Sequence, residues 1–380
     1  KIGLGAGMVT AIPGLLVLGT RAQAGAPGVE GLKPANLLIA AGFLVVGAVL
    51  GLVGGAIGGA IRGQRSDRPD WLFRFSVVAA AAVTPLLFIG GLVTSTNSGM
   101  AVPDWPNTFG TNMFLYPLGP RADAGVYLEH SHRLFGTLLG LTTLVLMVYV
   151  LIAESRTWLK ILAVVAFLLV CGQGVLGGFR VREGSVDPAR DQRILAMAHG
   201  IRAQLTFGVL VAVAVYLSPA FKAGSAALTS SGPVARARQV KFFATGLMHA
   251  TILQLIFGAM FRHFRDNHSL WSHVGFSVVV LLMGMLAGFA AAALPNNLGR
   301  IGIILRTAGK LVLVVVGLQF VIGWVTFALG VKTLEAQNTT QALVRTAHQA
   351  NGGLLLGLAV VTFLWARRLN RLNRSHLAAR

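Results

Sequence analysis

LVLVVVGLQFVIGWVTFALGV, Leu311–Val331, runs for 21 residues without an acidic or basic side chain. At about 1.5 Å per residue, a helix of this length crosses the roughly 30 Å hydrocarbon core of a bilayer. Its apolar residues are continuous and do not alternate, which favours a helix over a barrel strand. In lipid each backbone polar group needs a partner, and a helix supplies them all within the segment. Uncharged runs recur on either side at Ile2–Thr20, Pro34–Ile61, Phe75–Pro103, Leu134–Ala153, Ile161–Phe179, Ala203–Phe221, Phe242–Phe261, Val274–Gly299 and Thr346–Ala366. The first is Gly-rich, contains Pro13 and is the weakest; because the chain opens on lysine, its start is read as missing or processed. The fold class expected is an all-α integral membrane protein.

Composition agrees. Hydrophobic residues make up 55% of the chain and charged ones 12%, against about 25% charged in soluble domains. The net charge of +20 does not indicate nucleic acid, because the basic residues sit in short loops between apolar runs. That distribution reports topology in a lipid bilayer. The loops near 62–74, 154–160, 222–241 and 300–310, and the tail from Arg367, hold most of the lysine and arginine. They are placed in the cytoplasm, with the C-terminus. The opposite loops, 99–129 and 180–198 among them, carry most of the acids and are placed outside. The single cysteine, Cys171, lies in an apolar run, so an internal disulfide and a Cys-based metal site are excluded.

From Phe75 onward the eight runs fall into two groups of four. His132 in EHSHRLFG and His273 in WSHVGF open the second helix of each group. Gln173 in GQGVLGGF and Gln319 in LQFVIGWVTF lie in the third. His199 in AMAHGIRAQ and His348 in RTAHQANGG open the fourth. The three separations are 141, 146 and 149 residues. An even number of helices per unit makes this a parallel pseudo-repeat. The expected architecture is two tandem four-helix transmembrane bundles, 71–222 and 236–370. An N-terminal membrane extension (1–70, one or two helices) and a basic cytoplasmic tail (371–380) complete the chain.

Each unit then offers two histidines, both within about a turn of the outer helix ends. Two imidazoles from facing helices can approach one haem iron from opposite sides, and ionisable groups inside a membrane are functional by default. A lone interfacial histidine is more often bland, but the repeated placement favours ligation by His132, His199, His273 and His348. His130, His249, His263, His268 and His376 have no repeat partner and are read as ordinary, though His130 and His268 fall near the site. Glu129 precedes His132 by three residues and shares its helix face, where a carboxylate can act as acid or base or stabilise positive charge. A plain first-turn glutamate is the competing reading. Arg133 can neutralise Glu129 or bind a haem propionate; Arg180, Arg182 and Arg262 are further propionate candidates. Trp105 in AVPDWPNTFG is an interfacial anchor or part of a lid. Gln173 and Gln319 suit close helix packing with an interhelical hydrogen bond.

GGLVTSTNSGMAVPDWPNTFG, EHSHR, QGVLGGFRV, AHG, WSHVG and AHQANGG, in this order from about Phe75 to Arg367, resemble haem A synthase. The resemblance implies oxidation of the C8 methyl of haem O to the formyl group of haem A, a prosthetic group of terminal oxidases. It implies that His132 and His199 flank the substrate haem in the N-terminal half, and that His273 and His348 ligate a haem b in the C-terminal half. Glu129 matches the family's essential glutamate and would assist oxidation of the methyl carbon. It further implies a bacterial inner-membrane protein with its histidines toward the periplasm, haem O synthase as the supplier of haem O, and an electron acceptor outside the chain. The outer-loop cysteine pair of many bacterial members is absent here. The extra N-terminal helices serve homo-oligomerisation, a partner contact, or nothing specific. A di-haem b-type electron carrier explains the histidines equally well; Glu129 favours the enzyme. A parallel-repeat transporter explains them less well.

Overall fold

The computed structural model describes residues 70–114, 116, 123–182, 190–223, 236–330, 333 and 336–378, together with Val45 and Val49. Side chains at 182, 190, 191 and 375–378 are not among those described. The expected N-terminal spans Ile2–Thr20 and Pro34–Ile61, and Glu183, Asp187 and Glu335, lie outside the described residues.

Among the described residues the protein is all-α apart from one small hairpin, and eight helical segments are long and apolar enough to cross a membrane. It is an all-α integral membrane protein. The helices are α1 (Trp71–Ala81), α2 (Val83–Ser95), α3 (Ala124–Ala153), α4 (Thr157–Arg182), α5 (Arg190–Leu217), α6 (Pro219–Lys222), α7 (Ala237–Phe264), α8 (Asn267–Ala292), α9 (Gly299–Ala328) and α10 (Thr339–Ala378). The hairpin is β1 (Asn107–Thr108) with β2 (Thr111–Asn112). Together α1 and α2 form one span, Trp71–Ser95. The break at Ala82 has a local cause. Pro85 has no N–H to give the carbonyl of Ala81, and the Thr84 hydroxyl donates to that carbonyl instead, at 2.7 Å.

Several helices extend beyond their uncharged runs, because charged residues at helix ends can reach water along their own stems. α3 begins at Ala124, where the Asp123 carboxylate accepts from the Gly125 and Val126 N–H groups at 2.8 and 3.2 Å, as an N-terminal capping residue does. α1 and α8 are capped in the same way by Asp70 and Asp266. Arg265, left-handed at φ 58°, ends α7 just before that second cap.

The chain divides into two compact units. Of the described residues from 70 onward, one holds those between 100 and 134, and the other holds 70–99 and those from 135 on. α3 runs through both. In the first unit, the loop after residue 100 folds against the opening turns of α3. Phe109 and Gly110 form the two-residue turn between β1 and β2 with positive φ (50° and 76°), the backbone such hairpins require. The Asp104 carboxylate accepts from both of their N–H groups.

In the second unit, α7 packs on α8, α8 on α9, α9 on α10, and α10 back on α7. α8 and α9 approach closely at Gly288 and Gly309: a Cβ at Gly309 would lie 2.6 Å from the Gly288 carbonyl oxygen. Without a hydrophobic drive between helices in lipid, such small-residue contacts supply packing. α5 also packs on α1, α4, α7 and α10. Its buried residues join the apolar cluster of α1, α2, α4 and the second part of α3, while Val215 joins that of α7 to α10.

Candidate functional site

The four repeat histidines lie deeper in their helices than the sequence suggests. They fall 8, 9, 6 and 9 residues after the first residue of α3, α5, α8 and α10, or about 9–14 Å along the axis. The expectation of one turn is corrected, because capping and charged end residues begin each helix before its uncharged run. Glu129 likewise sits in the second turn of α3 and not the first.

His273 and His348 face one another. Their ring centroids are 6.1 Å apart and their planes are at 88°. Two imidazoles sharing one iron, each with a metal–nitrogen bond of roughly 2 Å, would have centroids about 6 Å apart. This pair therefore fits a haem iron. The backbone makes room for each ring. A Cβ at Gly258 of α7 would come within 2.8 Å of His273 Cε1, and one at Gly323 of α9 within 3.1 Å of His348 Cε1. His273 Nδ1 is buried with no hydrogen-bond partner among the described residues, as expected where a ligand completes the site.

Polar side chains from neighbouring helices hold the pair. Gln254 donates to the His273 carbonyl at 2.9 Å. Asn351, one turn after His348, donates through Nδ2 to the Val315 carbonyl at 3.1 Å and to Gln319 Oε1 at 2.8 Å. This leaves Gln319 Nε2 facing His348, 3.2 Å from Nδ1. The sequence reading passed over Asn351, Gln254, Gly258 and Gly323. Only Asn351 had a visible signal, its spacing of three from a histidine.

His199 is placed in the same unit as this pair. Gly177 of α4 lies against its ring, with a Cβ there 3.5 Å from His199 Cε1. Gln173, one turn before Gly177, has both amide atoms buried and without a hydrogen-bond partner among the described residues. Arg180, Arg262 and Arg265 lie within electrostatic reach of His263, and Arg345 within reach of Arg262. Burial and then Arg345 push Arg265, in the α7–α8 turn, down to about 10. Arg345 donates to the Gly330 carbonyl at 2.9 Å. It is a member of this basic group that the sequence reading missed, since it falls just before the uncharged run.

His132 and Glu129 belong to the first unit. Glu129 is 4% exposed. Its Oε2 accepts from the Val102 N–H at 2.8 Å and its Oε1 from Arg133 at 2.6 Å. Arg133 also donates to the carbonyls of Asp104, Asn107 and Val102 at 2.7, 3.0 and 3.0 Å. These bonds fasten the loop that carries Val102, Asp104 and Asn107 to α3. Trp105, half-buried in that loop, precedes Pro106 through a cis peptide. His130, read as ordinary, is fully buried. It bonds Thr108 through Nδ1 at 3.1 Å and packs on the Tyr116 ring.

Residues 73–275 match the family model COX15-CtaA, cytochrome oxidase assembly protein. The chain belongs to this family, that of the haem A synthases. Membership gives it a role in cytochrome oxidase assembly, and the match covers Glu129, His132, His199 and His273. No curated protein matches the chain. His348, outside the matched residues, is joined to the family's region by its geometry with His273.

Proposed function

We propose that the protein is a haem A synthase, converting the C8 methyl of haem O to a formyl group. The reading is carried by the His273–His348 pair, 6.1 Å apart between ring centroids, in a chain of this family. These two residues would hold a haem b, which when bound relays single electrons. His132 and His199 are assigned to the substrate haem by the resemblance. The net change is R–CH3 + H2O → R–CHO + 4 e− + 4 H+, with the electrons passing to an acceptor outside the chain. Glu129, held in place by Val102 and Arg133, would act as a fixed negative charge stabilising positive charge on the carbon being oxidised. Arg133, Arg180 and Arg262 are the candidates for contact with propionates.

The same reading places the histidines toward the periplasm of a bacterial inner membrane and the C-terminus in the cytoplasm. It treats 71–222 and 236–370 as tandem four-helix bundles, supplied with haem O by haem O synthase. The test is the absorption spectrum and extracted-haem mass of the purified protein and of Glu129→Gln. The wild type should carry a bis-histidine haem and yield formyl haem; the variant should keep the haem and lose the formyl product. An unchanged formyl yield in the variant removes Glu129 from the chemistry. A di-haem spectrum with no formyl product from the wild type would make the protein an electron carrier.

A further inference from the structure

We infer that Gln173 recognises a hydroxyl group on the substrate macrocycle in the N-terminal half; this rests on the haem A synthase reading. The pseudo-repeat aligns Gln173, Gly177 and His199 with Gln319, Gly323 and His348. In both sets a glycine lies against the histidine ring, with a Cβ there 3.5 and 3.1 Å from Cε1. In both, the glutamine lies one turn before that glycine on the same helix face.

The two amides differ in what they meet. Gln319 is committed at both ends, to Asn351 and to His348. Gln173 has Nε2 and Oε1 both buried, and neither has a hydrogen-bond partner among the described residues. One change in the repeat accounts for this. Asn351 follows His348 by three residues, whereas Arg202 follows His199 by three. The longer Arg202 reaches the Gly172 carbonyl at 3.2 Å and packs across that glycine. Among the described residues no side chain then hydrogen-bonds the Gln173 amide as Asn351 does that of Gln319.

A buried amide without partners is unfavourable unless something else completes it. A carboxamide offers a donor and an acceptor side by side, and a hydroxyl group both accepts and donates. An apolar ring substituent would leave the amide unsatisfied. The proposed reaction itself produces a hydroxyl. Its first half is R–CH3 + H2O → R–CH2OH + 2 e− + 2 H+, and its second is R–CH2OH → R–CHO + 2 e− + 2 H+, with both electron pairs going to the same external acceptor. The hydroxyl recognised is therefore either this one or one already carried on a ring substituent. Holding the first would keep the alcohol in place for its second oxidation.

The experiment compares wild type, Gln173→Leu and Gln319→Leu in the full membrane-embedded chain. Thermal unfolding of the haem O-free protein comes first. Gln173→Leu should unfold no lower than wild type, because no protein hydrogen bond is lost, whereas Gln319→Leu should unfold lower. Haem O affinity and the mass of the extracted products follow. Loss of one hydrogen bond to the new hydroxyl should raise the alcohol-to-formyl ratio about fivefold. Loss of one to a substituent hydroxyl should instead weaken haem O binding by a similar factor at an unchanged ratio. Wild-type ratio and affinity in Gln173→Leu would overturn the inference, as would a drop in unfolding temperature equal to that of Gln319→Leu. If the wild type makes no formyl haem, the functional reading fails, and the haem O affinity comparison still decides the role of Gln173.

Discussion

Replacing Arg133 with methionine should release the loop that carries Val102, Asp104 and Asn107 from α3. The guanidinium makes four hydrogen bonds, to the Glu129 carboxylate and to the carbonyls of Val102, Asp104 and Asn107. Its side chain is 9% exposed and that of Glu129 is 5% exposed. Removing one member of such a buried pair leaves an uncompensated charge and costs about 3–5 kcal/mol. Water entering beside the loop carbonyls recovers part of what they lose, so about 3 kcal/mol is the expected net effect on loop docking. At 1.4 kcal/mol per tenfold, the undocked population rises by roughly a hundredfold. Hydrogen exchange at the Val102, Phe109 and Gly110 amides should report this, since the first is bonded to Glu129 and the others to Asp104 within the docked loop. The double variant Glu129→Gln/Arg133→Met removes the stranded charge and should exchange more slowly than Arg133→Met alone. Equal exchange in wild type and Arg133→Met would refute the clamp, and equal exchange in the single and double variants would refute the charge argument.

Three further outcomes follow from the packing. Gly258→Ala places a Cβ 2.8 Å from His273 Cε1; it should shift the haem absorption band and cost about 1–3 kcal/mol by overpacking, whereas Gly317→Ala, with open space around it, should stabilise by up to about 1 kcal/mol. Asn351→Leu strands Gln319 Oε1, so thermal unfolding should show a loss of about 1–3 kcal/mol, with a changed His348 spectral signature. Glu154, outside the spans, is held down from 4.5 to about 2, first by its hydrogen bond from the Arg156 side chain. A carboxylate lowered on folding contributes stability that is complete above pH 4.5 and lost as pH falls toward 2; Glu154→Gln should flatten unfolding temperature against pH across that window.

Much of the architecture was legible because the bilayer forces a simple code. Eight apolar runs from Phe75 onward correspond to eight spanning segments, since a lipid-exposed backbone has few alternatives to a helix. Helix ends were less legible. Asp123, Asp70 and Asp266 begin helices outside the uncharged runs, and a cap acts through local geometry that hydropathy does not register. The run Phe75–Pro103 was legible as one span, but the helix break at Ala82, three residues before Pro85, was not read from it. The histidines could be chosen by their repeated spacing, but the fully buried His130 could not, because Thr108 and Tyr116 reach it from a loop.

The order of residues alone determined that this chain lives in a membrane, that its histidine and glutamine landmarks are duplicated, and which family its phrases resemble. These are one-dimensional properties: run length, charge placement and spacing. Only the tertiary structure decided that the His273 and His348 ring centroids stand 6.1 Å apart, that Glu129 is bound to Arg133 and a loop amide, and that of two equivalent glutamines Gln319 is hydrogen-bonded while Gln173, among the described residues, is not. Those outcomes depend on what neighbouring helices and loops bring to each side chain, and hydrogen bonds and ring contacts act over a few ångströms that sequence separation does not measure.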